Sequence, residues 1–259
     1  MPTLTILGSG EAFDPQLPNT SLLYQGSQNV LIDCGFAAVQ ALWRRSLDPE
    51  FLDAILLSHH HADHTFGLPA LLLVAQTANR QKPLTIVGTP NTKQYVTTLF
   101  DLAYTPGLAR LKFPVNFVEC APGDSFALGS LTVKTALPDH GIAVLSTRWE
   151  ESGTTLFAYS ADGKATPASR ALFKGANVLV HECYALPGQE GPVHTHVQAV
   201  LEIAAESQVS TLILVHQQTA QRTLIADYVR GQEIFDGQVL MPDGVMTVNL
   251  RQGNESAKL

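Results

Sequence analysis

The sequence predicts an α/β protein in which two β-sheets pack face to face with helices on both outer surfaces, an αββα sandwich. Three observations lead to this fold class. Short apolar segments of strand character arrive in two batches along the 259 residues, each followed by helices. A strand–helix–strand unit stands near the C-terminus, at 176–216. No linker, low-complexity tract or repeat of solenoid period divides the chain, so residues 1–259 are expected to form one domain.

The first batch opens with TLTIL at 3–7, which runs into the turn signal Gly8-Ser9-Gly10. SLLY at 21–24 and NVLID at 29–33 flank Gln25-Gly26-Ser27-Gln28 and read as a hairpin. FAAVQALWRR at 36–45 reads as a helix that Asp48-Pro49 breaks. AILLS at 54–58 has the short apolar profile of a buried strand, and LPALLLVAQTA at 68–78 reads as a helix. LTIVG at 84–88 and a helix from Asn91 to about Leu102 repeat the theme. The second batch has VNFVE (115–119), SFAL (125–128), LTVKTA (131–136) and IAVLSTRW (142–149) as strands, then TTLFAYSADG (154–163) as a strand ending in a turn. ANVLVHE (176–182), a helix at 196–207 and TLILVH (211–216) make the strand–helix–strand unit. A helix at 219–230 and a pair of strands close the chain, and RQGNESAKL is expected to be a frayed polar tail.

Composition narrows the function classes. The chain is 45% hydrophobic and 15% charged, which suits an ordinary globular protein. Apolar runs such as LPALLLVA at 68–75 fall far short of the roughly 18 residues of a membrane span. No basic segment precedes an apolar stretch at MPTLTILGSGEAF, so no signal peptide is expected and a cytoplasmic setting is the default. Cys34, Cys120 and Cys183 are odd in number and far apart, which argues against a disulfide framework and a cysteine-ligated metal. The net charge of −7 gives no general attraction to a polyphosphate backbone, although bound divalent cations would offset part of it.

Chemistry concentrates at His59-His60-His61-Ala62-Asp63-His64, which holds four of the nine histidines. The cluster directly follows an apolar strand, where side chains on a loop can converge. His59 and His61 can share a face and bind one metal, while Asp63 and His64 bind a second as the chain turns into the next helix. Borderline divalent metals favour such nitrogen and carboxylate donors, and hydrolysis is served by two adjacent metals sharing a water or hydroxide. His60 then points away. A solvated His-rich loop is the bland alternative, and the interleaved Asp63 after a strand speaks against it.

Ser58-His59-x-His61-x-Asp63-His64 resembles the metal motif of metallo-β-lactamase-fold hydrolases. The resemblance continues through Asp33 in LIDCG, His140 in LPDHG, Asp162 in YSADG and His216 in LILVH, and so covers residues 3–216. It implies that His59, His61 and His140 hold one metal, Asp63, His64 and His216 the other, and Asp162 bridges both. Two divalent ions are expected, Zn²⁺ first and Mn²⁺ second. Asp33 would orient a ligand through the imidazole's other nitrogen. Taken singly, His140, Asp162 and His216 would pass as ordinary polar residues.

A narrower resemblance is to ribonuclease Z. It rests on LTILGSG, PNTSLLY, LIDCG, FGLPALL, LPDHGI, HEC at 181–183 and the stretch from His194 to His216. It implies a phosphodiesterase whose leaving group is protonated by a Glu–His pair, here Glu182 and His194, with Asp63 able to accept the nucleophile's proton. A surface ion pair is the bland alternative for Glu182 and His194. His196 competes with His194 for the acid role, and His181 reads equally as a ligand's support or a core residue. Cys34 reads as a small buried hydrophobe, Trp43 as helix packing, Trp149 as a strand or turn residue and Arg44-Arg45 as a solvated helix face.

The sequence departs from ribonuclease Z where that family grips tRNA. Only residues 149–160 separate the His140 strand from the Asp162 turn, which leaves no room for the family's long arm. Ala143-Val144-Leu145, Gln217-Gln218 and His194-Thr195-His196 also differ from the family's usual residues. A small or short ester substrate is therefore expected, with tRNA in doubt and no membrane partner; a homodimer stays open. Hydrolysis of a sulfate ester, lactone, thioester or β-lactam is the main alternative. The absence of a Cys ligand counts against the β-lactam branch. A diiron redox enzyme is disfavoured because His61 stands where that branch uses Glu, and a vestigial site because all seven ligand positions are filled.

Overall fold

The structure is a computed structural model that describes residues 1–250; the expected polar tail at 251–259 lies outside the described residues. Alternation within the strands explains the layering. In β1 (Thr3–Gly8), β2 (Ser21–Gln25), β3 (Asn29–Ile32) and β4 (Ala54–Leu56), residues such as Leu4, Ile6, Leu22, Tyr24, Val30, Ile32 and Leu56 point to one face. Leu7, Leu23, Leu31 and Ile55 point to the other. Both faces are apolar, so these strands must be covered on both sides, which is why they read as near-continuous apolar runs. β5 (Leu84–Gly88) and β6 (Val115–Glu119) extend this first sheet in parallel beside β3 and β4.

The second sheet holds β7 (Ser125–Leu128), β8 (Leu131–Ala136), β9 (Ser146–Glu151), β10 (Thr154–Tyr159), β11 (Val178–Glu182) and β12 (Thr211–Val215). Val178, Val180, Ile213 and Val215 face the first sheet, and Leu179, Leu212 and Leu214 face outward. Between the sheets, Tyr24, Phe157 and Trp149 stack with ring centroids 5.3–6.1 Å apart. Helices α1 (Ala38–Arg45), α3 (Leu68–Thr77) and α4 (Thr92–Ala103) cover the first sheet's outer face. α5 (Pro167–Phe173), α6 (Val197–Ser207) and α7 (Arg222–Gly231) cover the second's. The short α2 (Ala62–Thr65) carries Asp63 and His64. The αββα sandwich expected from the sequence is the observed architecture.

Three local expectations change. The two C-terminal strands are not each other's partners. β13 (Gln238–Leu240) adds in parallel to β12, and β14 (Met246–Asn249) adds antiparallel to β1, so each sheet takes one edge strand. The strand expected from 142 begins only at Ser146, because its partner β8 ends at Ala136 and Pro138 beyond it has no N–H to continue a ladder. Instead the Leu145 N–H donates to the Ser58 carbonyl at 2.9 Å, under the histidine loop. Finally, sequence reading passes over α5, which a Thr166–Ser169 capping box starts ahead of Pro167. Among the described residues, no helix is long and apolar enough to cross a membrane.

The strand order brings chemistry to one rim. β3, β4, β8, β10, β11 and β12 all deliver polar residues from their C-terminal ends: Asp33, Ser58 to His64, His140, Asp162, Glu182 and His216.

Candidate metal centre

The histidine loop is fixed from beneath. Asp33 Oδ1 accepts the Ser58 backbone N–H at 2.7 Å, and Oδ2 accepts the Ser58 hydroxyl at 2.9 Å. The Cys34 N–H donates to the His64 carbonyl at 2.7 Å, and the Gly67 N–H to the Cys34 carbonyl at 2.8 Å. Gly35 lets the two segments touch: a Cβ there would lie 1.8 Å from the Asp63 carbonyl oxygen. Cys34 is buried, as expected for a small hydrophobe.

Seven side chains converge above this base. The His59 Nε2 and His61 Nδ1 atoms are 3.1 Å apart, and His61 Nδ1 and His140 Nε2 are 3.3 Å apart. Asp63 Oδ2 lies 3.2 Å from His64 Nε2 and 3.4 Å from His216 Nε2. Asp162 Oδ2 stands between the two groups, 4.0 Å from both His59 and His140, 3.5 Å from His64 and 3.1 Å from His216. The residues expected as ligands therefore form two adjacent donor sets that share Asp162.

These donors suit divalent cations. Burial pulls His59, His61 and His140 down, which keeps their lone pairs free. Burial would also pull down His64 and His216, but the carboxylates outweigh it. Asp162 and Asp33 push His64 well up, and Asp162 and Asp63 push His216 up to about 9. Burial would raise Asp63 and Asp162 in turn, but His216 and His64 hold both below the usual carboxylate range. Positive charge is thus stabilised between Asp63 and Asp162. His64 Nε2 and Asp162 Oδ1 are buried without a hydrogen-bond partner, and three imidazole nitrogens that face one another cannot all satisfy each other. Nitrogen and carboxylate donors so arranged fit a borderline divalent metal.

The rear atoms hold these faces in place. His64 Nδ1 contacts Asp33 Oδ2 at 2.9 Å, His59 Nδ1 contacts the Ser58 hydroxyl at 3.0 Å, and His140 Nδ1 contacts the Val193 carbonyl at 3.2 Å. Tyr159, which sequence reading missed, donates its hydroxyl to Asp33 Oδ2 at 3.0 Å and is kept protonated by burial and by Asp33. Its only sequence signal is its place three residues before Asp162, at the end of an apolar strand. Asp33, Ala161 and His216 adopt positive φ values of 61°, 53° and 57°, so the rim stores backbone strain at three non-glycine positions.

Glu182 and His194 meet beside the second donor set. Glu182 Oε2 and His194 Nδ1 are 3.4 Å apart, without the alignment of a hydrogen bond. Glu182 is fully buried, so the pair is not a surface ion pair. Burial and the Asp162 charge push the Glu182 carboxyl up, and burial pulls His194 down, which brings the two affinities for a proton together. His194 also stacks on Tyr184, centroids 4.5 Å apart at 16°, another residue the sequence did not single out. His196 is elsewhere: its Nδ1 accepts the Ala199 N–H and caps α6. His181 is buried with Nδ1 on the Glu182 carbonyl at 2.7 Å and Nε2 unpaired. His60 turns away to Thr92 and stacks on Tyr95.

A family model described as a β-lactamase superfamily domain matches residues 28–217, which takes in all of these ligand-type side chains. Ribonuclease Z of Limosilactobacillus fermentum is 31% identical over 155 residues, 58% of this chain and 49% of the relative. Ribonuclease Z of Enterococcus faecalis is 25% identical over 269 aligned positions, 82% of this chain and 85% of the relative. In several matches, then, the chain spans about half the length of the curated relative or less. The metallo-β-lactamase fold protein YhfI from Bacillus subtilis superposes with a TM-score of 0.79 over 95% of this chain and 98% of that one, at 21% identity, a likeness of fold.

Proposed function

The chain belongs to the β-lactamase superfamily, and from that membership we propose that it is a metal-dependent hydrolase of phosphodiesters, similar to ribonuclease Z. One observation carries the reading: Asp162 Oδ2 is shared by two donor sets, with the buried Glu182 and His194 beside them. His59, His61 and His140 would hold one cation and Asp63, His64 and His216 the other, with Asp162 offering its carboxylate to both. Zn²⁺ is the first expectation from these donors and Mn²⁺ the second. When bound, such a pair supplies a water acidic enough to ionise near neutral pH and offsets charge on the phosphoryl oxygens.

The chain's own residues supply the proton transfers. Asp63, which burial would raise but His216 and His64 hold below the usual carboxylate range, stays ionised and is placed to accept a hydrogen bond from the nucleophile as its proton leaves. His194, whose side chain is 18% exposed, holds a proton for the departing alkoxide, and Glu182 orients it. The substrate is short rather than a tRNA. β9 and β10 are joined by the two-residue turn Ser152-Gly153, both with positive φ, so no arm projects there. The net charge of −7 supplies no compensating grip. The ligand set is complete within one chain, so a homodimer is not needed to assemble it. Three buried free cysteines suit a reducing, cytoplasmic setting.

Elemental analysis of freshly purified protein, joined to a substrate panel, tests this reading. The expected result is two divalent ions per chain and turnover of a small phosphodiester, with little cleavage of precursor tRNA. Less than about one metal per chain after supplementation would sink the binuclear reading. Turnover of a carboxylic or sulfate ester in preference to the phosphodiester would sink the assigned reaction.

A further inference from the structure

The proton-transfer scheme gives Glu182 one task, orienting His194, and leaves a feature of its surroundings unexplained. Three buried atoms there lack a hydrogen-bond partner: Glu182 Oε2, His194 Nδ1 and His216 Nδ1. Glu182, His194 and His216 each offer a ligand atom to one locus, all within 4.8 Å of one another. Glu182 is held in place by its other oxygen, which accepts the Gly163 N–H at 3.1 Å and the Thr195 N–H at 3.0 Å. His216 is held by its front nitrogen, Nε2, which faces Asp63 and Asp162 at 3.4 and 3.1 Å. Its rear nitrogen is therefore on the side away from the two carboxylates.

The other buried ligand-type histidines differ. His64 rests its rear nitrogen on Asp33, His59 on Ser58 and His140 on the Val193 carbonyl. A metal-binding imidazole needs such a partner, because the hydrogen bond at the rear fixes the tautomer that leaves the front nitrogen free. Glu182 Oε2 and His194 Nδ1 stand 3.4 Å apart without the alignment of a hydrogen bond, and His216 offers an atom to the same locus; unpartnered buried polar atoms so grouped are what one ordered water requires.

We propose that Glu182 is a positioning residue for His216 as well as for His194, acting through one water held by Glu182 Oε2, His194 Nδ1 and His216 Nδ1. The water accepts the His216 Nδ1–H and donates to Glu182 Oε2, which also faces His194. One carboxylate thereby ties the second metal position to the proton donor. The proposal rests on reading His216 as a metal ligand.

The test is metal affinity, measured by chelator competition on the Zn²⁺-loaded wild type, Glu182→Gln and His194→Ala. The Gln substitution keeps an oxygen for the Gly163 and Thr195 N–H groups and removes the charge. The expected result is a loss of about 10–100-fold in affinity for one of the two ions in Glu182→Gln, with His194→Ala within about twofold of wild type. Glu182→Gln binding both ions as tightly as wild type would overturn the proposal and leave Glu182 serving His194 alone. Equal losses in the two variants would also overturn it, since the pocket rather than the carboxylate would then set affinity. A high-resolution crystal structure of the wild-type holoenzyme needs no variant to fold: a solvent peak within hydrogen-bond reach of all three atoms supports the proposal, and no peak overturns it. Wild type without metal would instead sink the functional reading on which this one stands.

Discussion

The two halves of the candidate site are built in different ways. Below the first sheet's rim, one loop after β4 delivers His59, His61, Asp63 and His64 together. The second sheet delivers His140, Asp162 and His216 from three separate strand ends, with Glu182 closing β11 and His194 just ahead of α6. The first half depends on a short turn and its supports, Asp33, Ser58, Cys34 and Gly35. The second depends on the register of a whole sheet, and the positive φ at Ala161 and His216 shows the backbone being bent where Asp162 and His216 are delivered. Local spacing can specify a loop, whereas only tertiary structure can specify a convergence. The halves meet where His61 faces His140 at 3.3 Å, where Asp63 faces His216 at 3.4 Å and at Asp162 Oδ2, which reaches both donor sets, so the most damaging change should be the one that removes this shared oxygen.

That change is Asp162→Ala. Asp162 Oδ2 alone lies within 4.0 Å of an imidazole nitrogen of each of His59, His140, His64 and His216 among the ion pairs of the described residues. Turnover is expected to fall to background and bound metal to about one ion per chain or less. Steady-state rates with metal content measured on the same samples check this. Near-normal metal and activity would show that the halves work independently.

The proton donor belongs to the second half alone, so its loss should be selective. His194→Ala is expected to cost about 10²–10⁴-fold on a phosphodiester with an alkoxide leaving group and far less on a nitrophenyl ester, with both metals retained. An alkoxide needs its proton as the P–O bond breaks, while nitrophenolate does not. A uniform loss on both substrates would point to binding or structural damage and detach Glu182 and His194 from the chemistry.

One source of acid sensitivity outside the donor sets sits in the second half. His181 on β11 is buried, and burial pulls it down to about 4 from its ordinary 6.5. Between those pH values the unfolded chain binds the proton and the folded chain does not. The stability that His181 preserves is thus complete above about pH 6.5 and is lost as pH falls toward 4. Over the whole window the loss is on the order of 3 kcal/mol. Urea unfolding of wild type and His181→Asn at pH 7 and pH 4.5 isolates it, because the variant takes up no proton. Parallel pH dependence in the two proteins would assign acid sensitivity elsewhere.

The same division governs what could be read from the sequence. The loop half is legible because five polar residues in six follow an apolar strand, and LIDCG supplies Asp33 by position. The strands are legible because residues such as Leu22, Leu23 and Tyr24 alternate between two apolar faces. His140, Asp162 and His216 are legible only through resemblance, since a lone His or Asp after a strand carries no local signal. Tyr159 and Tyr184 are invisible because their partners, Asp33 and His194, lie 126 and 10 positions away and meet them only in the fold. The split of β13 and β14 between the sheets is invisible for the same reason: each answers an edge that exists only once the sandwich has formed. His196 is left competing with His194 in the sequence, and a helix start separates them.

The smallest effect should come from the middle of the histidine loop. His60 stands in sequence between His59 and His61, so a reading by composition alone would make it a ligand. Its Nε2 instead faces the Thr92 hydroxyl at 2.8 Å and the Thr89 hydroxyl at 3.3 Å. Its ring lies 4.4 Å from Tyr95 at an interplanar angle of 3°, which ties the loop to α4 rather than to the metal donors. Burial pulls it down, so the ring is neutral and stacks without a charge to solvate. His60→Ala removes one neutral hydrogen bond and one ring contact, together about 1–2 kcal/mol of stability. Metal content should stay at the wild-type value and turnover should drop less than about threefold, against abolition in Asp162→Ala. Thermal melts, elemental analysis and rates on the two variants side by side decide it. Equal loss of metal in both would mean that the loop's alternation has been assigned to the wrong face, and with it His59 and His61.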